Sequence, residues 1–79
     1  QIYRKENMLD GLTIREMDVL RAAAYGQANK AIAAKLGISV QTVQVHLRNI
    51  YSKLQVSNRS EAVACAIQYG WISLERKDE

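Results

Sequence analysis

Two amphipathic segments lie on either side of a glycine turn, and this arrangement limits the fold more than any other feature of the chain. The first segment places Ile32 and Leu36 on one side of a helix, and Gly37 can end that helix in a left-handed conformation. Only about two helical turns fit before the glycine. Ser39 is a good N-cap for the next helix, which can begin almost at once. The pattern predicts a helix-turn-helix.

Capping signals predict two more helices, so the chain is expected to be all-α, a four-helix bundle containing the helix-turn-helix. Thr13 followed by Glu16 forms a capping box for the first helix. Asn29 is the expected cap of the second helix, and Asn58 is the expected cap of the fourth. The predicted helices cover about residues 14–25, 29–36, 40–54 and 58–69.

The helical period also assigns the faces that pack together. Four apolar residues of the third helix fall on one stripe that should face the core: Val43, Leu47, Ile50 and Leu54. The inner side of the fourth helix is predicted to carry Arg59, Val63, Ala66, Ile67 and Gly70. Three later apolar residues should fold back over apolar surface: Trp71, Ile72 and Leu74.

The length of the chain restricts it to one domain, because 79 residues cannot divide their apolar surface between two cores. We expect this domain to cover residues 12–74, after a linker at 1–11 and before a frayed tail at 75–79. The first residue is Gln1 rather than methionine. We therefore expect an upstream domain before the linker.

Several classes of function find no support in the sequence. There is no metal-spaced cluster, glycine-rich phosphate loop or activated nucleophile, so neither an enzyme nor a cofactor or metal site is expected. No apolar run approaches the roughly 20 residues that cross a bilayer, so no membrane partner is expected. Cys65 is the single cysteine, which favours the reducing cytoplasm over a secreted disulfide scaffold.

Charge is distributed unevenly along the chain, whose formal net charge is +3. Residues 19–60 contain no Asp or Glu, and the acidic residues lie on either side of this stretch. The stretch contains six basic residues: Arg21, Lys30, Lys35, Arg48, Lys53 and Arg59. The middle of the chain is therefore suited to binding a polyanion.

Many residues at fixed offsets carry a resemblance to a known family. They are Leu12-Thr13, Arg15-Glu16, Val19-Leu20, Gly26, Asn29-Lys30, Ile32-Ala33, Leu36, Ile38-Ser39, Thr42-Val43, His46, Ile50, Lys53-Leu54, Val56, Arg59 and Ala62-Val63. This pattern, ungapped over roughly two thirds of the chain, resembles the LuxR-type (GerE-like) helix-turn-helix DNA-binding domain. The resemblance implies the C-terminal effector domain of a bacterial response regulator in a two-component system. Its third helix would read the major groove of double-stranded DNA, and its fourth helix would pair two copies.

The exposed face of the third helix carries the candidate base-reading residues Gln44, Val45 and Arg48. Arg48 can bond guanine bidentately, Gln44 can bond adenine, and Val45 can contact a thymine methyl group. Gln44 stands where the family commonly has Lys or Arg, which favours a neutral base contact there.

Polar and basic residues flank this face and are predicted to contact the DNA backbone: Asn29, Lys30, Ser39, Thr42, Asn49 and Lys53. Lys30 and Lys53 are the strongest candidates, because Asn29 and Ser39 would serve as helix caps in any case. His46 lies beside the core stripe and is interpreted as a packed structural histidine in preference to a DNA contact. A metal site is not expected there, because no second ligand is nearby.

The outer face of the fourth helix is the predicted homodimer interface, formed by Glu61, Ala64, Cys65 and Gln68. Its small and neutral side chains would let two helices approach closely, and a two-fold pair would read an inverted repeat. The resemblance also brings RNA polymerase into consideration as a partner.

Two other functions stay open at this point. The first is promoter recognition by a monomer that resembles region four of bacterial sigma factors, which also begins with Leu-Thr-x-x-Glu. The second is a helical bundle that binds proteins and never contacts nucleic acid. The acid-free middle of the chain argues against the second.

A phosphoacceptor receiver is the expected upstream domain.

Overall fold

The computed structural model describes residues 11–73. Four helices follow Leu12: α1, Ile14–Ala24; α2, Asn29–Leu36; α3, Val40–Leu54; and α4, Arg59–Gln68. The described residues contain no strand. The predicted all-α four-helix fold is confirmed, with α2 and α3 at the predicted bounds. Tyr25 and Tyr69 act as C-caps, so α1 and α4 each end one residue earlier than expected. The proposed linker and tail lie almost wholly outside the described residues.

The first helix begins at the capping box that the sequence predicts. The Thr13 hydroxyl accepts a hydrogen bond from the Glu16 amide at 3.0 Å, and Glu16 Oε1 accepts one from the Thr13 amide, also at 3.0 Å. Two amides at the start of the helix are thereby satisfied by local side chains. The structure confirms where α1 begins.

Asn29 does not cap α2, so this prediction is wrong. Ala28 is the N-cap, and it supplies no side-chain hydrogen bond, while Asn29 is the first helical residue. The Asn29 side chain instead accepts a hydrogen bond from Arg59 at the start of α4. The Asn29 side chain thus bonds to a residue that is distant in sequence and does not bond to a nearby backbone amide.

The turn between α2 and α3 has the geometry that its glycine allows. Gly37 adopts φ +70°, a left-handed conformation in which a residue with a Cβ is strained. The Ile38 amide donates back to the Ala33 carbonyl at 3.0 Å, which closes the end of α2. Ser39 then caps α3 by accepting a hydrogen bond from the Thr42 amide at 3.0 Å. The predicted helix-turn-helix is present.

The core lies where α1 packs against the other three helices. The four predicted core residues of α3 are all buried: Val43, Leu47, Ile50 and Leu54. The largest fully buried side chains of α1 and α2 are Val19, Leu20 and Ile32. With one face of α3 fixed in the core, the opposite face of the same helix is left exposed.

The fourth helix is rotated relative to the sequence prediction. Ala62 and Ala66, which are one turn apart, form its buried stripe, whereas Ile67 is 41% exposed and Val63 is half-buried. The two alanines have small side chains, which let the backbone of α4 lie close to α1 and α3. Ile67 is therefore moved from the predicted inner side to the outer side.

The segment after α4 folds back over the core, as expected for its first residues. The Trp71 amide donates to the Ala66 carbonyl at 2.9 Å, and Ile72 is buried in the main hydrophobic cluster. The Tyr25 hydroxyl donates to the Ser73 carbonyl at 3.3 Å, joining this segment to the end of α1. Leu74, also expected to pack here, lies outside the described residues.

An ion pair joins the start of α1 to the last turn of α3. Glu16 is 3% exposed, and its Oε1 accepts a hydrogen bond from Lys53 Nζ at 2.7 Å. Burial by itself raises the pKa of the Glu16 carboxyl. Hydrogen bonds from Lys53 and the Thr13 amide, together with electrostatic attraction to Lys53 and His46, outweigh burial and lower the pKa below its ordinary value. The carboxylate therefore stabilises the fold in its ionised form.

Replacing Thr13 with alanine removes the side-chain half of the capping box. We expect T13A to lower the free energy of unfolding by about 0.5–2 kcal/mol, measured by urea denaturation. T13S retains the hydroxyl and should lose much less. Equal stability of T13A and the parent chain would contradict the role of the cap.

The ion pair predicts a specific dependence of stability on acid. Folded Glu16 binds its proton less tightly than the unfolded residue does, so its stabilisation is complete above the ordinary glutamate pKa of about 4.3. It is lost as the pH falls through the lower pKa of the folded state. Unfolding free energies measured between neutral pH and about pH 3 should decline less in E16Q than in the parent chain. Parallel pH profiles would contradict this assignment.

Candidate nucleic-acid interface

The face of α3 opposite the core carries the three residues expected to read bases. Gln44, Val45 and Arg48 are all exposed. Val45 is 44% exposed and sits between hydrogen-bonding neighbours. The helical period therefore places a short apolar contact surface beside a guanidinium and an amide, which is a combination that can distinguish base pairs in the major groove.

A shallow groove of about 310 Å³ lies between the start of α2 and the exposed side of α3. Its lining residues are Asn29, Gln44, Leu47, Arg48 and Tyr51. The groove brings Asn29, expected at the DNA backbone, next to two expected base-reading residues. Tyr51 is an addition that the sequence analysis missed. Its place one turn after Leu47, on the edge of the core stripe, was the available signal.

Two hydroxyls lie together at the start of α3. Ser39 Oγ and Thr42 Oγ1 are 2.9 Å apart, and Ser39 Oγ also accepts from the Thr42 amide. The first turn of α3 contains no acidic residue. The partial positive charge of the helix terminus is therefore uncompensated by a carboxylate, which favours an approaching phosphate.

The remaining predicted backbone contacts have different surroundings. Lys30 and Asn49 are exposed on α2 and α3. Lys53 is bonded to Glu16, although its side chain is still 37% exposed. An ammonium group has three N–H donors, so one bond to Glu16 leaves donors for another acceptor. Lys53 is thus a held cation, and Lys30 extends into solvent.

Arg59 makes the contact that joins α4 to the start of α2. Its Nη1 donates to the Gln27 carbonyl at 2.8 Å, and its Nη2 donates to Asn29 Oδ1. The sequence analysis placed Arg59 on the inner side of α4 and gave it no partner. Because the partners are about thirty residues away in sequence, no local pattern could have indicated them.

The predicted pairing surface lies on the outer side of α4. Glu61, Ala64 and Gln68 are exposed and Cys65 is half-buried. Glu61 is partly engaged, because its Oε1 accepts a hydrogen bond from the Ser57 amide at 2.8 Å while its own amide donates to Asn58. Exposed Ile67 lies nearby on the same helix. Burial raises the pKa of the Cys65 thiol, which keeps it in the unreactive protonated form.

The described residues offer little for other chemistry. No three His, Cys, Asp or Glu side chains come together within residues 11–73. His46 is half-buried. Over the same part of the chain, no helix has the length and apolarity needed to cross a membrane.

Comparison with known proteins agrees with this geometry. Residues 10–66 match the family described as bacterial regulatory proteins, luxR family. The chain is 55% identical over 58 residues to the nitrate/nitrite response regulator protein homolog of Haemophilus influenzae, a match that covers 73% of the chain and 28% of that protein. It is 55% identical over 56 residues to the probable transcriptional regulatory protein SgaR of Hyphomicrobium methylovorum, covering 71% of the chain and 26% of that protein. The chain thus spans less than a third of these curated relatives.

Among solved structures, the transcription factor GerE superposes with a TM-score of 0.76 at 36% sequence identity. The match covers 81% of this chain and 96% of GerE. The sequence family and the helix arrangement therefore both agree with the family resemblance found in the sequence. The chain belongs to the LuxR family of bacterial regulatory proteins, and it is a DNA-binding domain of that non-enzymatic family.

Proposed function

We propose that this chain is the effector domain of a response regulator and binds specific sites in double-stranded DNA by inserting α3 into the major groove. The observation that carries the proposal is the exposed face of Gln44, Val45 and Arg48, on a helix whose other face is fixed in the core. Relatives named as response regulators support the placement after a receiver domain. Activity in transcription then depends on the rest of the protein.

Each base-reading residue has a separate chemical role in this proposal. Arg48 donates two parallel hydrogen bonds to guanine, and the Gln44 amide both donates to and accepts from adenine. Val45 lies between them in the sequence and contacts a thymine methyl group. The absence of acidic residues from positions 19–60 removes repulsion between this part of the chain and DNA.

The flanking residues fix the helix on the DNA backbone. Lys30 and Asn29 approach phosphates from α2, and Ser39 and Thr42 do so from the start of α3. Lys53 and Asn49 contact the backbone from farther along α3. These contacts supply affinity and orientation but do not depend on the base sequence.

Two copies are proposed to bind an inverted repeat through the outer side of α4. Ala64 and Cys65 are small, Gln68 is neutral, and exposed Ile67 adds apolar area. A two-fold pair sets the two α3 helices at a fixed separation, so half-sites should lie about one helical turn apart. One helix face is a small contact, and DNA would assemble the pair by holding both copies.

The base and phosphate roles are separated by two alanine variants. R48A should weaken binding to a selected site by about 1–3 kcal/mol and relax the preference at one base pair. K30A should weaken binding to all duplexes about equally and lower the slope of log K against log salt by about one. Both are measured by fluorescence anisotropy with selected and random duplexes over a range of KCl concentrations.

Lys30 is the better control because its side chain is exposed, whereas removing Lys53 would leave Glu16 buried without its partner. Equal loss of base preference in R48A and K30A would contradict the assignment of roles. Absence of binding by the parent chain to any duplex at low salt would favour a protein-interaction bundle.

Pairing through α4 is tested by placing a carboxylate in its outer face. A64E should abolish cooperative binding to a full inverted repeat and leave weak binding to a half-site, since two like charges would face each other across the two-fold axis. I14E adds the same charge at the exposed start of α1 and should retain cooperativity. Unchanged cooperativity in A64E would remove the outer face of α4 from the pairing surface, and non-cooperative binding of the parent chain at one-to-one stoichiometry would support monomeric, sigma-like recognition.

A further inference from the structure

The helices α2 and α4 do not pack directly against each other within the described part of the chain. Arg59, the first residue of α4, reaches from α4 to the start of α2 and binds there through both arms of its guanidinium group. One arm binds the Gln27 carbonyl just before α2, and the other binds the side chain of Asn29 in its first turn. Arg59 therefore binds one side chain of α2 from a helix that does not pack directly against α2.

The chemistry of this contact determines the orientation of the Asn29 amide. A guanidinium group has five N–H donors and no acceptor, so it can bind only the oxygen end of the amide. The other arm of the guanidinium, Nη1, donates to the Gln27 carbonyl at 2.8 Å. This second hydrogen bond limits rotation of the guanidinium group. With Oδ1 held by Arg59, the two N–H donors of Nδ2 form the end of the amide that is left for another partner.

Asn29 occupies a position where such donors are useful. It lines the same groove as Gln44 and Arg48, the proposed base-reading residues. It also lies in the first turn of a helix whose N-cap, Ala28, satisfies no backbone amide with its side chain. A phosphate at this end of α2 would meet the Asn29 amide nitrogen together with free helix amides.

We propose that Arg59 is a positioning residue for DNA binding: it orients the Asn29 amide so that Nδ2 donates to a backbone phosphate. The inference rests on the proposed function and adds to it. It also gives α4 a second role, because the helix proposed to pair two copies begins with the residue that prepares a DNA contact on α2.

A double-mutant cycle measures whether Arg59 acts through Asn29. The four chains are the parent, R59K, N29A and the double variant, and anisotropy with a selected duplex gives their affinities at several KCl concentrations. Lysine keeps the charge but lacks the planar fork that binds two acceptors. We expect R59K to weaken binding roughly three- to tenfold in the parent and to have almost no further effect in N29A.

N29D supplies a readout that a purely structural role would not change. Aspartate still accepts from Arg59, and more strongly, but it has no donor for a phosphate. The thermal midpoint of N29D should therefore be equal to or higher than that of N29A. The affinity of N29D for DNA should be equal to or lower than that of N29A. N29D binding DNA as tightly as the parent would overturn the proposal.

The cycle also separates this inference from the proposed function. Equal weakening by R59K in the parent and in N29A would show that Arg59 acts independently of Asn29, and it would overturn the inference while leaving the DNA-binding function in place. No effect of R59K in either background would overturn it as well. No salt-dependent binding of the parent to duplex DNA would overturn both proposals. Thermal midpoints of all variants ensure that affinities are compared between folded chains.

Discussion

The buried carboxylate of Glu16 joins two parts of the chain that are separated by 37 positions, and the placement of α3 depends on it. The carboxylate accepts the Thr13 amide, which starts α1, and the Lys53 ammonium, which lies in the last turn of α3. A charge buried to this extent is destabilising unless its oxygens are paired. The arrangement that satisfies Glu16 therefore also fixes how α3 lies against α1.

The orientation of α3 decides which of its residues meet solvent. Its apolar stripe is held in the core, and the ion pair restrains its last turn. Rotation of the helix by one residue would bury a polar side chain of the outer face and expose part of the stripe. The exposed positions of Gln44, Val45 and Arg48 are consequently determined by contacts on the opposite side of the helix.

Features governed by near neighbours in sequence were predictable. The capping box at Thr13, the left-handed Gly37 and the cap at Ser39 all involve residues within five positions, and the stripe of α3 follows from strong apolar periodicity. The rotation of α4 was not predictable, because apolarity alone assigns Ile67, rather than an alanine, to the buried face of the helix. Close helix approach instead selected the small residues. The family match on residues 10–66 agrees with the local pattern rather than correcting it.

Long-range partners account for what sequence reasoning left out of the site. Lys53 and Asn29 were expected to meet DNA, yet nothing in the sequence indicated that Glu16 and Arg59 hold them. A held side chain loses less conformational entropy when it binds, so in the proposed complex these two side chains would suit a backbone whose geometry is nearly the same at every site.

The proposed base-reading residues have a different requirement, because their role would be to accept a correct sequence and reject others. No residue within 11–73 is seen to hold the Arg48 guanidinium in an ion pair, and its side chain is exposed. An unpaired guanidinium forms two hydrogen bonds where guanine offers two acceptors. At another base pair it loses its hydrogen bonds to water and forms fewer in return. In the proposed complex, held side chains at the backbone thus supply orientation, while free side chains on α3 make affinity depend on sequence.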